Sequence, residues 1–121
     1  MPDSYSFSPV ITSNLSTTIA NGASLSGAVD ISGTTLVAYI MPSSWTAADI
    51  TFEVSADGVN FYNLYDQFDN EVINHVDASR FVAVIPSEFA SIRYIKFRSG
   101  TSSSAVNQGA ERSITLITRA V

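Results

Sequence analysis

His75 is the only histidine of the chain, and Asp77 and Ser79 stand close to it. An imidazole near a carboxylate and a hydroxyl is the material of a Ser-His-Asp relay. The sequence lacks the G-x-S-x-G elbow that would lift a serine out of a strand-to-helix turn, and any comparable nucleophile signature. His75 is therefore expected to be a strand histidine on a polar face or edge, and no enzymatic activity is expected. A lone histidine and the absence of Cys also exclude an imidazole pair, a thiolate metal site and a disulfide. Asp66, Asp69, Asn70 and Glu71 offer oxygen ligands for a hard cation such as Ca²⁺. Their spacing does not match D-x-[DN]-x-[DN]-G, and the glycine is missing. Asp and Asn are also what hairpin loops require, so a solvated turn is expected and no metal or other cofactor.

Two further groups of side chains can bind without reacting. Trp45, Tyr62 and Tyr65 are candidates for stacking on pyranose rings, as exposed aromatics near the loops of a β-sandwich do. Phe52, Phe61, Phe81, Phe89 and Phe97 are assigned to core packing. The run Arg93-Tyr94-Ile95-Lys96-Phe97-Arg98 interleaves basic and aromatic residues, with Tyr94, Lys96 and Arg98 on one face of an extended strand. Such a strand suits single-stranded nucleic acid, but a net charge of −5 supplies no field to attract phosphates. Pairing with carboxylates of a neighbouring subunit fits better; a solvated face with snorkelling stems is the plainer alternative.

The charges are divided along the chain. The first 79 residues hold nine carboxylates and no Lys or Arg; from Arg80 onward there are six Lys and Arg against Glu88 and Glu111. Surfaces of opposite sign on one domain favour head-to-tail packing of copies or docking on a larger charged body. Arg93, Lys96, Arg98 and Arg112 are the expected basic interface residues, with Asp49, Glu53 and Asp66 as their acidic partners.

The elements that must position these residues are strands. The chain has 121 residues, 45% hydrophobic and only 14% charged, which is a folding composition of one domain. No apolar run is long enough for a membrane helix, and the opening MPDSYSFSPV has neither the basic nor the apolar region of a secretory signal. Residues 49–55 alternate: Ile50, Phe52 and Val54 face a core, while Thr51, Glu53 and Ser55 face water. Asp57-Gly58 then predicts a tight hairpin into a strand at 60–65. Further strands are predicted at 5–12, 24–32, 35–41, 71–76, 80–85, 92–99 and 112–119. Segment 35–41 (TLVAYIM) is apolar on both faces, so it is either a central strand or one that faces a partner. Residues 86–91 read as one helical turn or a tight loop, and 100–110 as a long polar loop that is mobile or used in contact. The fold class is all-β: an antiparallel β-sandwich, jelly-roll-like, of about eight strands in a single domain spanning 1–121. Its expected core includes Ile50, Phe52, Val54, Phe61, Leu64, Ile95, Phe97, Ile114 and Leu116.

The strings AADITFEVSADGVNFYNLYD, NEV, ASRFVAVIPSEFASIRYIKFRSG and VNQGAERSITLITR, between Ala47 and Arg119, together resemble a group of small virion proteins of tailed phages, some of them capsid decoration or cement proteins. The shorter S-x-D-G-x-x-[FW] pattern at Ser55–Phe61 resembles a hairpin of discoidin-like and carbohydrate-binding sandwiches. The longer resemblance implies a β-sandwich with a virion role. With the divided charges and the two-sided apolar segment 35–41, the expectation is a capsid decoration or cement protein that binds the major capsid protein and itself, as a trimer; the absence of Cys and of a secretory signal points to synthesis in the host cytoplasm. The alternative is a sugar-binding module on a phage tail or head appendage, with Trp45, Tyr62, Tyr65 and the carboxylates Asp57, Asp66 and Asp69 as its candidate residues. Neither nucleic acid nor membrane is expected as a partner.

Overall fold

Strands form where apolar and polar residues alternate through residues 15–120, which the computed structural model describes. They are β1 (Ser16–Ile19), β2 (Val29–Asp30), β3 (Thr34–Ile40), β4 (Ile50–Ser55), β5 (Tyr62–Asn63), β6 (Phe81–Ala83), β7 (Tyr94–Ser99) and β8 (Arg112–Ala120), with one 3-10 turn at Pro86–Glu88. They make two four-stranded antiparallel sheets, in the orders β1-β8-β3-β6 and β2-β7-β4-β5. The pairs β4–β5, β3–β6, β2–β7 and β1–β8 are successive rungs of one long ribbon that turns back at residues 56–61. Wrapping that ribbon brings β8 beside β3 and β7 beside β4. This is the strand order of an eight-stranded jelly roll.

The two sheets enclose one core. Ile50, Phe52, Ile95, Phe97, Ile114 and Leu116 are fully buried, as the alternation predicts. Tyr39, Phe52, Phe89 and Phe97 form an edge-to-face aromatic group, with Phe52 at 5.1 Å from Phe97 and 5.2 Å from Phe89, centroid to centroid. Such edge-to-face geometry sets the positive ring edge against the negative face of its neighbour. Burial pushes the Tyr39 hydroxyl far above its ordinary value, and that hydroxyl donates to Asn74 Oδ1 at 2.8 Å. The TLVAYIM strand is central: β3 lies between β8 and β6, with a bulge between Leu36 and Ala38.

Several expectations need correction. Thr51 and Ser55 are buried, not solvated, because further chain covers the outer face of β4; Thr51 Oγ1 donates to the Gly100 carbonyl. Val54 and Leu64 are only partly buried against the core. Phe61 is half-buried beneath Lys96, whose ammonium stands 4.2 Å from the ring centroid. Phe81 is not core at all: 66% of it is exposed. Residues 71–76 contribute single bridges at Glu71 and Asn74 instead of a strand, and 24–32 shrinks to β2 with a bridge at Leu25. β1 went unpredicted, and the strand predicted at 5–12 lies outside the described residues.

The Asp57-Gly58 turn does join β4 to β5, but through the wider loop 56–61. Asp57 organises it. Its Oδ1 accepts from the Val59 and Asn60 backbone N–H groups, each at 2.8 Å, and its Oδ2 accepts from the Asn60 side-chain amide at 2.9 Å. Gly58 has φ +81°, and a Cβ there would meet the Tyr94 ring at 2.9 Å, so only glycine fits both the turn and the contact. Donation from Asn60 and then Val59 holds the Asp57 carboxyl far below the usual carboxylate range. A depressed pKa contributes stability that is present above the ordinary carboxyl value, about 4, and lost as pH falls towards the folded value. The gap in stability between wild type and Asp57→Ala should therefore narrow as the pH is lowered from about 6 to about 2. Urea unfolding at the two ends of that range measures it, and an unchanged gap would contradict the role given to the carboxylate.

Candidate functional site

The basic strand β7 places Lys96 opposite Glu53 and Arg98 opposite Thr51 on the outer face of its sheet. Arg98 is nevertheless buried. Its Nη2 lies 2.8 Å from Glu53 Oε2 and donates to Asn63 Oδ1 at 2.6 Å, while its Nη1 lies 3.4 Å from Glu71 Oε2. Glu71 in turn accepts from the Ser102 backbone N–H at 3.1 Å. One guanidinium thus joins β7 to β4, β5, residue 71 and, through Glu71, the loop after β7. Arg98 and Glu53, both expected to reach a neighbouring subunit, meet each other within one chain instead.

The other expected interface residues divide. Arg112 is half-buried and donates from Nε to Gln108 Oε1 at 3.0 Å. Gln108, itself 1% exposed, also accepts from the Thr46 N–H and donates to the Thr46 carbonyl and Ser99 Oγ. It fastens the polar loop 100–110, expected from the sequence to be mobile or used in contact. Lys96 lies over Phe61. Arg93 remains exposed, bonded to Ser32 Oγ at 3.2 Å. Asp49 pairs at 2.9 Å with Nδ1 of His75, an exposed imidazole whose side chain is 87% accessible. Neither Asp77 nor Ser79 touches that histidine, so the geometry of a relay is not assembled there. Among the described residues no group of three or more His, Cys, Asp or Glu is placed to hold a metal ion.

The three aromatics named for sugar stacking do not come together. Trp45 is partly buried: it packs against the core and donates from Nε1 to the Ala48 carbonyl at 3.0 Å. Tyr62 is exposed on edge strand β5. Tyr65 stands at the root of a small knuckle, where it bridges Glu71. Asp66 ties that knuckle: its Oδ1 accepts from the Phe68 N–H at 2.8 Å and the Asn70 N–H at 3.0 Å, and Asp69 sits at φ +64°. Asp66 is thus a turn residue, as its composition suggests, though it also borders a cleft of about 720 Å³. One wall of the cleft is the segment from Leu64 to Phe68; the other is Ile85 with Ser87, Glu88 and Ser91.

A second surface lies on edge strand β6. Backbone bonds from Met41 to Arg80 and from Val84 to Val37 fix the register against β3, so the main-chain groups of Phe81 and Ala83 point away from β3. Val82 and Val84 turn towards the core, leaving Phe81 and Ile85 outward, 66% and 61% exposed. Ile40, opposite Phe81 on β3, extends the apolar row. Sequence reasoning placed Phe81 in the core, read Glu88 only as a turn residue, and singled out neither Ile85 nor, beyond its place after the hairpin, Phe68. In RFVAVI both faces of the strand are apolar, so period two cannot say which is covered.

No protein-family model matches the chain, and no curated protein matches it significantly.

Proposed function

We propose that the chain is a structural protein of a tailed-phage virion, a decoration or cement protein that binds the major capsid protein and itself, as a trimer. The observation that carries this is the exposed row Ile40, Phe81 and Ile85 on the β6 flank. Large apolar side chains aligned on one face mark an interaction surface when they form a contiguous patch. The resemblance of Ala47–Arg119 to small virion proteins supports the same assignment. The jelly roll serves viral capsid and lectin domains alike, so the fold alone does not choose between them.

The mechanism is stapling. A protein that binds the assembled lattice and not its dissociated subunits shifts the balance towards the intact shell by mass action. With Arg98, Glu53 and much of Arg112 engaged internally, apolar area on the β6 flank supplies the affinity. The remaining charges, exposed Arg93 and half-buried Asp49 among them, set register and encounter rate. A heterologous contact that closes after three copies suits a threefold lattice position.

Purified virions should contain the protein in many copies, visible by mass spectrometry and antibody labelling. Phe81→Glu should weaken decoration at least ~10-fold, because a carboxylate would be buried without a partner. Its melting temperature should match wild type, since Phe81 lies largely in solvent. Absence from the particle, or equal decoration by Phe81→Glu, would remove this assignment. A sugar-binding role is favoured by one feature, the cleft beside Tyr65.

A further inference from the structure

We infer that the cleft between the Asp66 knuckle and the Pro86–Glu88 turn binds a neutral sugar, one that presents an apolar ring face together with several hydroxyls. Among the aromatics named for stacking only Tyr65 lines this cleft, and the inference adds Phe68 and Glu88 to it. Its volume of about 720 Å³ falls within the range of small-molecule sites, about 300–1,000 Å³.

The lining argues for that chemistry. Phe68 is 75% exposed and Tyr65 47% exposed, so two aromatic side chains are held in water at one wall. Aromatic surface of this kind can cover the C–H face of a pyranose. Across from them, Ser87 and Ser91 offer hydroxyls that donate and accept, and Gln67 adds an amide that does the same. Glu88 is half-buried, and its carboxylate has no hydrogen-bonding or ionic partner among the described residues. As an acceptor-only group, it is satisfied by ligand hydroxyls that donate. Asp66 contributes less, because its Oδ1 already accepts two backbone N–H groups.

No Lys, Arg or His lines the cleft. Two carboxylates without a cation repel uronic acids, sialic acids, sulfated sugars and phosphates, which leaves neutral sugars. A Lys side chain would satisfy the carboxylates and the aromatics, but would leave the hydroxyls and the amide without a purpose.

Both walls are held before any ligand arrives. The knuckle is bound by its Asp66 bonds and by the Tyr65–Glu71 bridge. On the other side, Phe89 is fully buried immediately after the 3-10 turn, and Thr35 Oγ1 donates to the Pro86 carbonyl at 2.9 Å. A site whose walls are fixed loses little ordering entropy on binding.

The test is a titration of the full chain, ¹⁵N-labelled, followed by amide chemical shifts. The probes are lactose, maltose, cellobiose and N,N′-diacetylchitobiose, with glucuronic acid and an acetylated Val-Lys-Val-Lys amide as comparators. At least one disaccharide should shift the amides of Tyr65–Phe68 and Ser87–Ser91 while glucuronic acid does not. Phe68→Ala and Tyr65→Ala should each weaken that binding at least ~10-fold without lowering the melting temperature. The inference is overturned if no disaccharide moves these amides, if the Lys peptide binds there more tightly than every sugar, or if Phe68→Ala binds as wild type does. The cleft and the β6 flank share Ile85, but Phe68 belongs only to the cleft and Phe81 only to the flank, so Phe68→Ala should leave decoration unchanged and Phe81→Glu should leave sugar binding unchanged, which separates loss of one activity from loss of the other.

Discussion

Arg98→Ala should lower the stability of the chain by about 3–5 kcal/mol, the usual cost of removing one partner from a buried ion pair. The guanidinium side chain is 8% exposed, and it faces Glu53 and Glu71, whose side chains are 27% and 12% exposed. Truncation leaves two carboxylates facing each other across an emptied volume, with Asn63 Oδ1 deprived of its donor. Arg98→Lys should recover only part of the loss, because an ammonium cannot present the planar fork that reaches several acceptors at once. A triple replacement, Arg98→Met with Glu53→Gln and Glu71→Gln, removes the stranded charges and should be more stable than Arg98→Ala. Urea unfolding of the three variants measures these differences. A loss below about 1 kcal/mol for Arg98→Ala would mean that the cluster behaves as an exposed, screened surface pair.

That cluster changes the meaning of the divided charges. An acidic first part and a basic last part invite docking between copies, yet the best-formed contact between them lies inside one molecule. Arg98 reaches back to Glu53 and Glu71 because the ribbon places β7 against β4 and brings residue 71 alongside. Charge segregation along a chain is thus a statement about assembly only after the internal pairs have been subtracted. What remains, Arg93 and Asp49 among the named residues, is a smaller resource, which is why the proposed docking rests on the apolar β6 flank.

The parts legible in the sequence were those with period-two contrast. Ile50 and Phe52 against Glu53, or Ile114 and Leu116 against Ser113, identify both the strand and its buried face. β1 was hidden because in STTI a buried threonine, Thr17, looks like its exposed neighbour Thr18. The outer face of β7 was read correctly as Tyr94, Lys96 and Arg98, but its burial depends on Glu71 and Ser102, whose approach no local pattern encodes. The cleft was half legible. Asp66 and Asp69 announced a turn, and Tyr65 an aromatic beside it, but the opposing wall comes from residues 85–91, which only tertiary packing brings near. The packing of Trp45 was illegible for the same reason, since the core it borders is assembled by distant strands.

Phe52→Ala is expected to cost about 3–5 kcal/mol, the range for emptying a fully buried aromatic site. Phe52 is wholly inaccessible on β4, between β7 and β5, and it meets Tyr39, Phe89 and Phe97 edge to face. Its loss removes apolar contact with both sheets and with the residue that anchors the turn bordering the cleft. The three surrounding rings are held by three different segments, so they cannot all close on the void, and part of the cavity term will persist. Small domains have only about 5–15 kcal/mol to lose, so the variant should melt on the order of 10 °C or more below wild type. Phe81→Ala is the matched control. It deletes the same atoms from a side chain that is 66% exposed, and its cost should stay within about 1 kcal/mol. Chemical denaturation with an unchanged slope on denaturant would show that both values refer to the same two states. A small loss at Phe52, or an equal loss at Phe81, would contradict the division between the buried aromatic core and the exposed flank on which the proposed docking depends.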